Sequence, residues 1–186
     1  MKTSKQAGTK TKAVRPSHTK STSPREKATP SPRVIELKVG QRAPAFSLPD
    51  EKGKAVRLAD CRGKKVILYF YPKDDTSGCT KEACAFRDSI EEIQENGAVV
   101  LGVSPDSVES HKKFVGKYEL NFPLLSDANK TVVQAYGVWK EKSMYGRKYM
   151  GVERTTFVID QHGKIEEIFR KVKVDGHIEE ILSELD

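Results

Sequence analysis

The apolar positions of this chain fall into short blocks separated by polar turns, and the blocks follow a regular order. Val66-Ile67-Leu68-Tyr69-Phe70-Tyr71 is an unbroken apolar run, short and rich in β-branched and aromatic residues, which predicts a central strand over 65–71. The run over 98–103 has the same character and predicts a second core strand, buried on both faces. Between them, 81–94 carries Ala85, Ile90 and Ile93 among charges, the pattern of an amphipathic helix. Helices are also predicted over 107–118, 128–136 and 176–185, with a short strand over 123–125. Two hairpins complete the pattern. Segments 45–48 and 55–58 flank Asp50-Glu51-Lys52-Gly53, and segments 155–159 and 164–172 flank Gln161-His162-Gly163. Strands alternating with helices, then a hairpin and a closing helix, define an α/β domain over 34–186 with a central mixed sheet flanked by helices. No internal repeat is visible.

Charge divides the chain in two. The whole chain is +7, and residues 1–33 hold nine Lys/Arg against one acidic residue, Glu26, so the tail carries +8 and the other 153 residues −1. The tail has no aromatic residue and only Met1, Ala7, Ala13, Val14 and Ala28 as apolar ones. Such a segment buries too little surface to offset its ordering entropy, so a disordered basic tail is predicted over 1–33. Three roles stay open for it. It is a solvated extension without a partner, a transit peptide, or a weak, salt-sensitive, non-specific nucleic-acid contact helped by Ser23-Pro24-Arg25 and Ser31-Pro32-Arg33. Neither a signal-peptide core nor an apolar run approaching ~18 residues is present, so no secretion and no membrane spanning are predicted. Three cysteines, an odd number, fit a reducing compartment better than a disulfide scaffold. A cytoplasmic monomer is expected, with nucleus, nucleoid or plastid as alternative locations.

The candidate chemistry lies at the end of the central strand, in Pro72-Lys73-Asp74-Asp75-Thr76-Ser77-Gly78-Cys79-Thr80-Lys81-Glu82-Ala83-Cys84. Cys79 stands at a strand–loop–helix junction. There the first backbone N–H groups of the helix have no internal partner and favour negative charge, and so favour the thiolate, which is the nucleophile. Thr76 can turn its hydroxyl toward the sulfur or toward a substrate oxygen. Ser77 and Thr80 are candidate helix caps, and Pro72 fixes the strand exit and helps to wall off water.

Pro72-x3-Thr76-x2-Cys79 resembles the peroxidatic motif of the peroxiredoxins, and Cys84 five residues on makes it similar to the peroxiredoxin Q, or bacterioferritin comigratory, group. The likeness runs from about Gly40 to the C-terminus. It includes the stretch from Ala43-Pro44 to Pro49-Asp50, the stretch from Tyr136-Gly137-Val138-Trp139 to Tyr145-Gly146, and Arg154-Thr155-Thr156-Phe157-Val158-Ile159-Asp160. The resemblance implies a thioredoxin-like fold and a thiol peroxidase acting on hydrogen peroxide and organic hydroperoxides. By the same likeness Cys79 is the peroxidatic cysteine, becoming a sulfenic acid, Thr76 hydrogen-bonds the peroxide, and Pro72 shields the pocket. Arg154 stabilises thiolate and transition state as a permanently charged planar donor. Cys84 resolves the sulfenic acid as an intramolecular disulfide, regenerated by thioredoxin or a related dithiol. No metal or other cofactor is expected.

That pairing has a geometric consequence. Residues five apart on one helix differ by about 7.5 Å in rise and roughly 140° in direction, beyond the roughly 7 Å between Cα atoms that a disulfide tolerates. The first turns of the helix must therefore unwind before the bond closes.

Plainer roles exist for each residue. Cys79 and Cys84 can be buried small hydrophobes, Thr76 a loop residue, and Arg154 a surface partner of Glu153 or Asp160. Cys61, where the family pattern carries an aromatic residue, is either a buried space-filler or an accessory thiol. The rival enzyme, a general disulfide oxidoreductase, lacks its C-x-x-C here. The rival of another class is a nucleic-acid-associated protein working through its tail.

Overall fold

The computed structural model describes residues 36–185; the predicted disordered tail over 1–33 lies outside the described residues. A small hairpin, β1 (Ser47–Pro49) and β2 (Ala55–Arg57), precedes the main sheet. That sheet is built from β3 (Lys65–Phe70), β4 (Ala98–Ser104), β5 (Leu124–Ser126), β8 (Thr155–Ile159) and β9 (Ile165–Arg170), in the order β5-β4-β3-β8-β9. β4 runs parallel to β3 and to β5, while β3–β8 and β8–β9 are antiparallel, so the sheet is mixed as expected.

Parallel neighbours need crossover connections, and the helices supply them. α1 (Ser77–Asp88) and α2 (Ile90–Glu95) join β3 to β4, and α3 (Val108–Tyr118) joins β4 to β5. α4 (Thr131–Ala135) and a separate hairpin, β6 (Trp139–Met144) with β7 (Arg147–Val152), lie between β5 and β8. α5 (His177–Ser183) closes the described chain. No described helix is long and apolar enough to cross a membrane.

Alternation along β3 decides the core. Ile67, Tyr69 and Tyr71 enter one apolar cluster with Cys79, Ala83, Phe86, Phe114 and Ile181. Val66, Leu68 and Phe70 enter the other with Val133, Tyr136, Phe157 and Ile159. Successive strand residues point to opposite faces, so one unbroken apolar run serves two cores.

Four local expectations need correction. The helix predicted over 81–94 starts at Ser77 and is two helices, broken at Ser89. Its first turn looked like loop because Ser, Gly, Cys and Thr are poor helix formers. Thr76, extended at φ −91° and ψ 150°, holds the N-cap position in place of the expected Ser77 or Thr80, and its carbonyl accepts from Thr80 N at 2.8 Å. At the break, Ser89 N–H is shared between the carbonyls of Ala85 and Phe86, a tightening turn.

The helix predicted over 128–136 shortens to Thr131–Ala135 because the Asp127 carboxylate accepts from the N–H groups of Thr131, Val132 and Val133. The β6–β7 hairpin was unforeseen, since Lys140-Glu141-Lys142-Ser143 shows no apolar alternation. Its turn, Tyr145-Gly146, has positive φ at both residues (50° and 75°), the form that matches strand twist in two-residue hairpins.

Candidate active site

The sheet delivers Cys79 to the first turn of α1, third residue of the helix, and buries it to 1 % exposure. Its Sγ accepts a hydrogen bond from Arg154 Nη2 at 3.2 Å. Arg154 precedes β8, the antiparallel neighbour of β3, so the pairing of those two strands sets the guanidinium across from the start of α1. The same guanidinium donates through Nη1 to Glu82 Oε2. One planar cation thus spans a thiol and a carboxylate three residues apart on a single helix face.

Sequence reasoning missed Glu82. Its signal was a charged residue at i+3 from Cys79, beside the buried Ala83 and Phe86. Glu82 is itself buried, and that burial pushes its carboxyl up from 4.5 to about 7, while Arg154 draws it down. Its other oxygen, Oε1, has no partner among the described residues, and neither has the hydroxyl of the buried Tyr69. Burial likewise drives Tyr69 far up, helped by Glu82 and Cys79. For Arg154, burial acts to lower its value, but Glu82 and Cys79 outweigh it and hold the guanidinium more firmly charged. A second residue missed was Gly78. A Cβ there would stand 3.4 Å from Arg154 Nη2, ordinary van der Waals contact, so the guanidinium packs directly against the start of α1.

The other predicted residues are placed as follows. Thr76 is exposed, and its hydroxyl donates to Lys73 O at 3.1 Å instead of facing Cys79. Its proton is committed, which leaves its lone pairs to accept from a ligand. Pro72 is exposed at the exit of β3; what covers Cys79 is the cluster of Tyr69, Tyr71, Ala83 and Phe86. Cys84 is half-buried on the same unbroken α1 as Cys79, and both are free thiols. The helix that carries them is therefore the obstacle to their pairing. Arg154 is not a surface partner of Glu153 or Asp160; Glu153 pairs with Lys140. Cys61 is a free thiol packed beside the other core, and burial raises its value.

A buried cysteine at a helix start, bridged by an arginine to a buried carboxylate, defines a thiol-chemistry site on a thioredoxin-like sheet. Residues 39–168 match the AhpC/TSA family, and the chain belongs to it. Its relatives there are peroxiredoxins. It is 50% identical over 151 residues to peroxiredoxin Bcp of Bacillus subtilis (strain 168), covering 81% of this chain and 96% of the relative. Among solved structures, Xanthomonas campestris peroxiredoxin Q superposes with a TM-score of 0.75 at 40% identity, covering 79% of this chain and 96% of that one. A bacterioferritin comigratory protein of the same organism, studied for its alkyl peroxide reduction activity, matches with a TM-score of 0.75 at 39% identity. There 80% of this chain and 97% of that chain are covered.

Proposed function

We propose that this protein reduces hydroperoxides with Cys79 as the attacking thiol and Cys84 as the resolving one. The observation that carries the reading is the single guanidinium of Arg154 shared between Cys79 Sγ and Glu82. In the first step the Cys79 thiolate attacks the terminal oxygen of R–O–O–H. The O–O bond breaks, Cys79 becomes S–OH, and R–O⁻ leaves to take a proton. Negative charge moves from sulfur toward the departing oxygen, and Arg154 lies where it can follow that charge. Thr76 accepts from the hydroperoxide O–H, its own proton being held by Lys73 O. Pro72, exposed just after β3, fixes the chain's exit from the strand ahead of the reacting loop.

In the second step Cys84–SH attacks the sulfenic sulfur, giving a Cys79–Cys84 disulfide and water. A dithiol then returns both cysteines to thiols by exchange, for which thioredoxin is the proposed donor. The relatives bear the peroxiredoxin name and one was studied for alkyl peroxide reduction, which supports both the chemistry and organic peroxides as substrates.

The test is intact mass and peptide mapping after one equivalent of peroxide. Wild type is expected to lose two hydrogens as a Cys79–Cys84 bond. Cys84→Ser is expected to consume one equivalent and stall without an external thiol. Full thioredoxin-coupled turnover by Cys84→Ser would demote Cys84 to a packing residue.

A further inference from the structure

The loop that delivers Cys79, Pro72 to Thr76, caps α1 through the Thr76 carbonyl and is fastened to α3 through Asp74 and Asp75. The Asp74 carboxylate, 6 % exposed as a residue, receives Tyr71 Oη at 2.7 Å, Ser110 Oγ at 2.7 Å and His111 Nδ1 at 2.8 Å. Its backbone N–H donates to Asp106 Oδ2 at 2.7 Å, and Asp106 is braced by Ser104 Oγ at 3.1 Å. The next residue, Asp75, sits in the left-handed region at φ 54°, a conformation that costs an ordinary residue energy unless its surroundings hold it. Here Lys117 Nζ at 2.7 Å and Tyr118 Oη at 2.6 Å hold its carboxylate. Ser110, His111, Lys117 and Tyr118 all belong to α3.

The far end of α1 is fastened to the same helix. Arg87 Nη1 donates to the carbonyl of Tyr118 at 2.8 Å, and Asn121 Nδ2 donates to Arg87 O at 3.2 Å. Tyr118 therefore grips both ends of α1, the entry through its hydroxyl and the exit through its carbonyl. Between the two grips, at Asp75 and Arg87, lie the cap Thr76 and the helical residues Ser77 to Phe86, and the helical stretch contains both Cys79 and Cys84.

We propose that α3 clamps α1 at its two ends, so that the unwinding needed to join Cys79 to Cys84 is confined to residues 77–86. The inference rests on the functional reading above. Asp74, His111 and Tyr118 are then positioning residues: they hold Thr76 and the first turn of α1 in the attacking geometry, and they set the limits of the rearrangement. His111 is fully buried and bonded to Asp74 through Nδ1, while its Nε2 has no partner among the described residues. Asp74 also stays ionised readily. Burial acts to raise its carboxyl, but the bonds from His111, Ser110 and Tyr71 prevail and lower it.

The experiment uses the full-length protein with Tyr118→Phe, which keeps the ring and the carbonyl, and Asp74→Asn, which turns an amide toward the donors of Ser110 and His111. Rapid-quench alkylation with mass readout separates two rates: formation of the Cys79 sulfenic acid and its condensation with Cys84. Sulfenic acid formation is expected to slow about threefold in Tyr118→Phe and about tenfold in Asp74→Asn, with no slowing of condensation. Hydrogen exchange of the wild-type disulfide form is expected to lose protection over 77–86 while 65–75 and 108–118 keep theirs. In the variants the loss spreads into 71–76. A merely structural role would lower the unfolding temperature and leave the ratio of the two rates unchanged. If Asp74→Asn does not fold, Tyr118→Phe decides. An unchanged ratio in folded Tyr118→Phe, or loss of protection across α3 in the wild-type disulfide form, overturns the clamp alone. A wild type that consumes peroxide without a Cys79–Cys84 bond overturns the functional reading and the clamp with it.

Discussion

The two faces of the central sheet are made from the same strands, yet they are built to different standards of polarity. One face packs Val66, Leu68, Phe70, Leu101, Phe157 and Ile159 against α4 and the β1 hairpin, with Cys61 at its margin. It is a packing surface, closed by apolar contact and interlocked aromatic rings such as Phe70 against Phe157 at 5.8 Å. The other face packs Ile67, Tyr69, Tyr71 and Val158 against α1, α3 and α5 and carries the buried side chains of Glu82, Asp74, His111, Thr156 and His177, whereas the buried carboxylates on the first side, such as Asp127, cap backbone N–H groups at the ends of its elements. Polar groups out of water are costly unless bonded. Among the described residues this face tolerates three orphan atoms, Glu82 Oε1, Tyr69 Oη and His111 Nε2. The difference teaches where chemistry sits: at the face where apolar packing alone would have been the more economical solution.

The sharpest way to break this contrast is to compare cysteines. Cys79→Ser, on the polar face, is expected to abolish peroxide reduction, whereas Cys61→Ser is expected to retain wild-type turnover; steady-state peroxide consumption decides. Next in size, Arg154→Lys keeps a charge but loses the planar fork that reaches both Cys79 and Glu82, with an expected cost of about 10²–10³ in the second-order rate with peroxide. Wild-type rates in that variant would remove Arg154 from the site.

On the apolar face the effect should appear in stability. Leu68→Ala deletes a fully buried side chain and is expected to cost about 2–5 kcal/mol in chemical denaturation while the folded fraction keeps its activity. The polar face should answer to pH. Glu82 has its folded value raised from 4.5 to about 7, so it binds its proton more tightly folded than unfolded. Its favourable contribution is complete below about pH 4.5 and is lost as pH rises through about 7. Glu82→Gln should therefore flatten the stability profile across that window by about 1–3 kcal/mol. A profile as steep as wild type would show that other groups set it. The smallest effect on catalysis is expected from deleting residues 1–33, which carry +8 but no catalytic candidate. Peroxidase rates should stay nearly unchanged, and any retention on DNA that falls steeply with salt should vanish.

The central strands were legible because β3 and β4 are unbroken apolar runs, and a run buried on both faces has no other stable home than an inner strand. The hairpin of β8 and β9 was legible from its turn, where Asp160 Oδ1 accepts from His162 N at 2.9 Å and Lys164 N at 2.8 Å. The β6–β7 hairpin was not, because its strands pair chiefly with each other, and a polar two-stranded ribbon leaves no periodic trace. The start of α1 was misplaced for the opposite reason. Its first turn is held by what surrounds it, from Arg154 across the sheet to the α3 contacts of Asp74 and Asp75.

What the sequence determined by itself was the local pattern: a cysteine after an apolar strand, a threonine and a proline at fixed spacing before it, and the segregation of basic charge into the first 33 residues. Those are properties of neighbours in the chain. Tertiary structure alone decided that Arg154, 75 residues away, divides its guanidinium between Cys79 and Glu82, and that Asp74 answers to His111 on another helix. Such pairings depend on which strand lies beside β3 and which helix lies across its exit. Both are set by the packing of the whole domain, for which no short stretch of sequence carries a periodic or spacing signal.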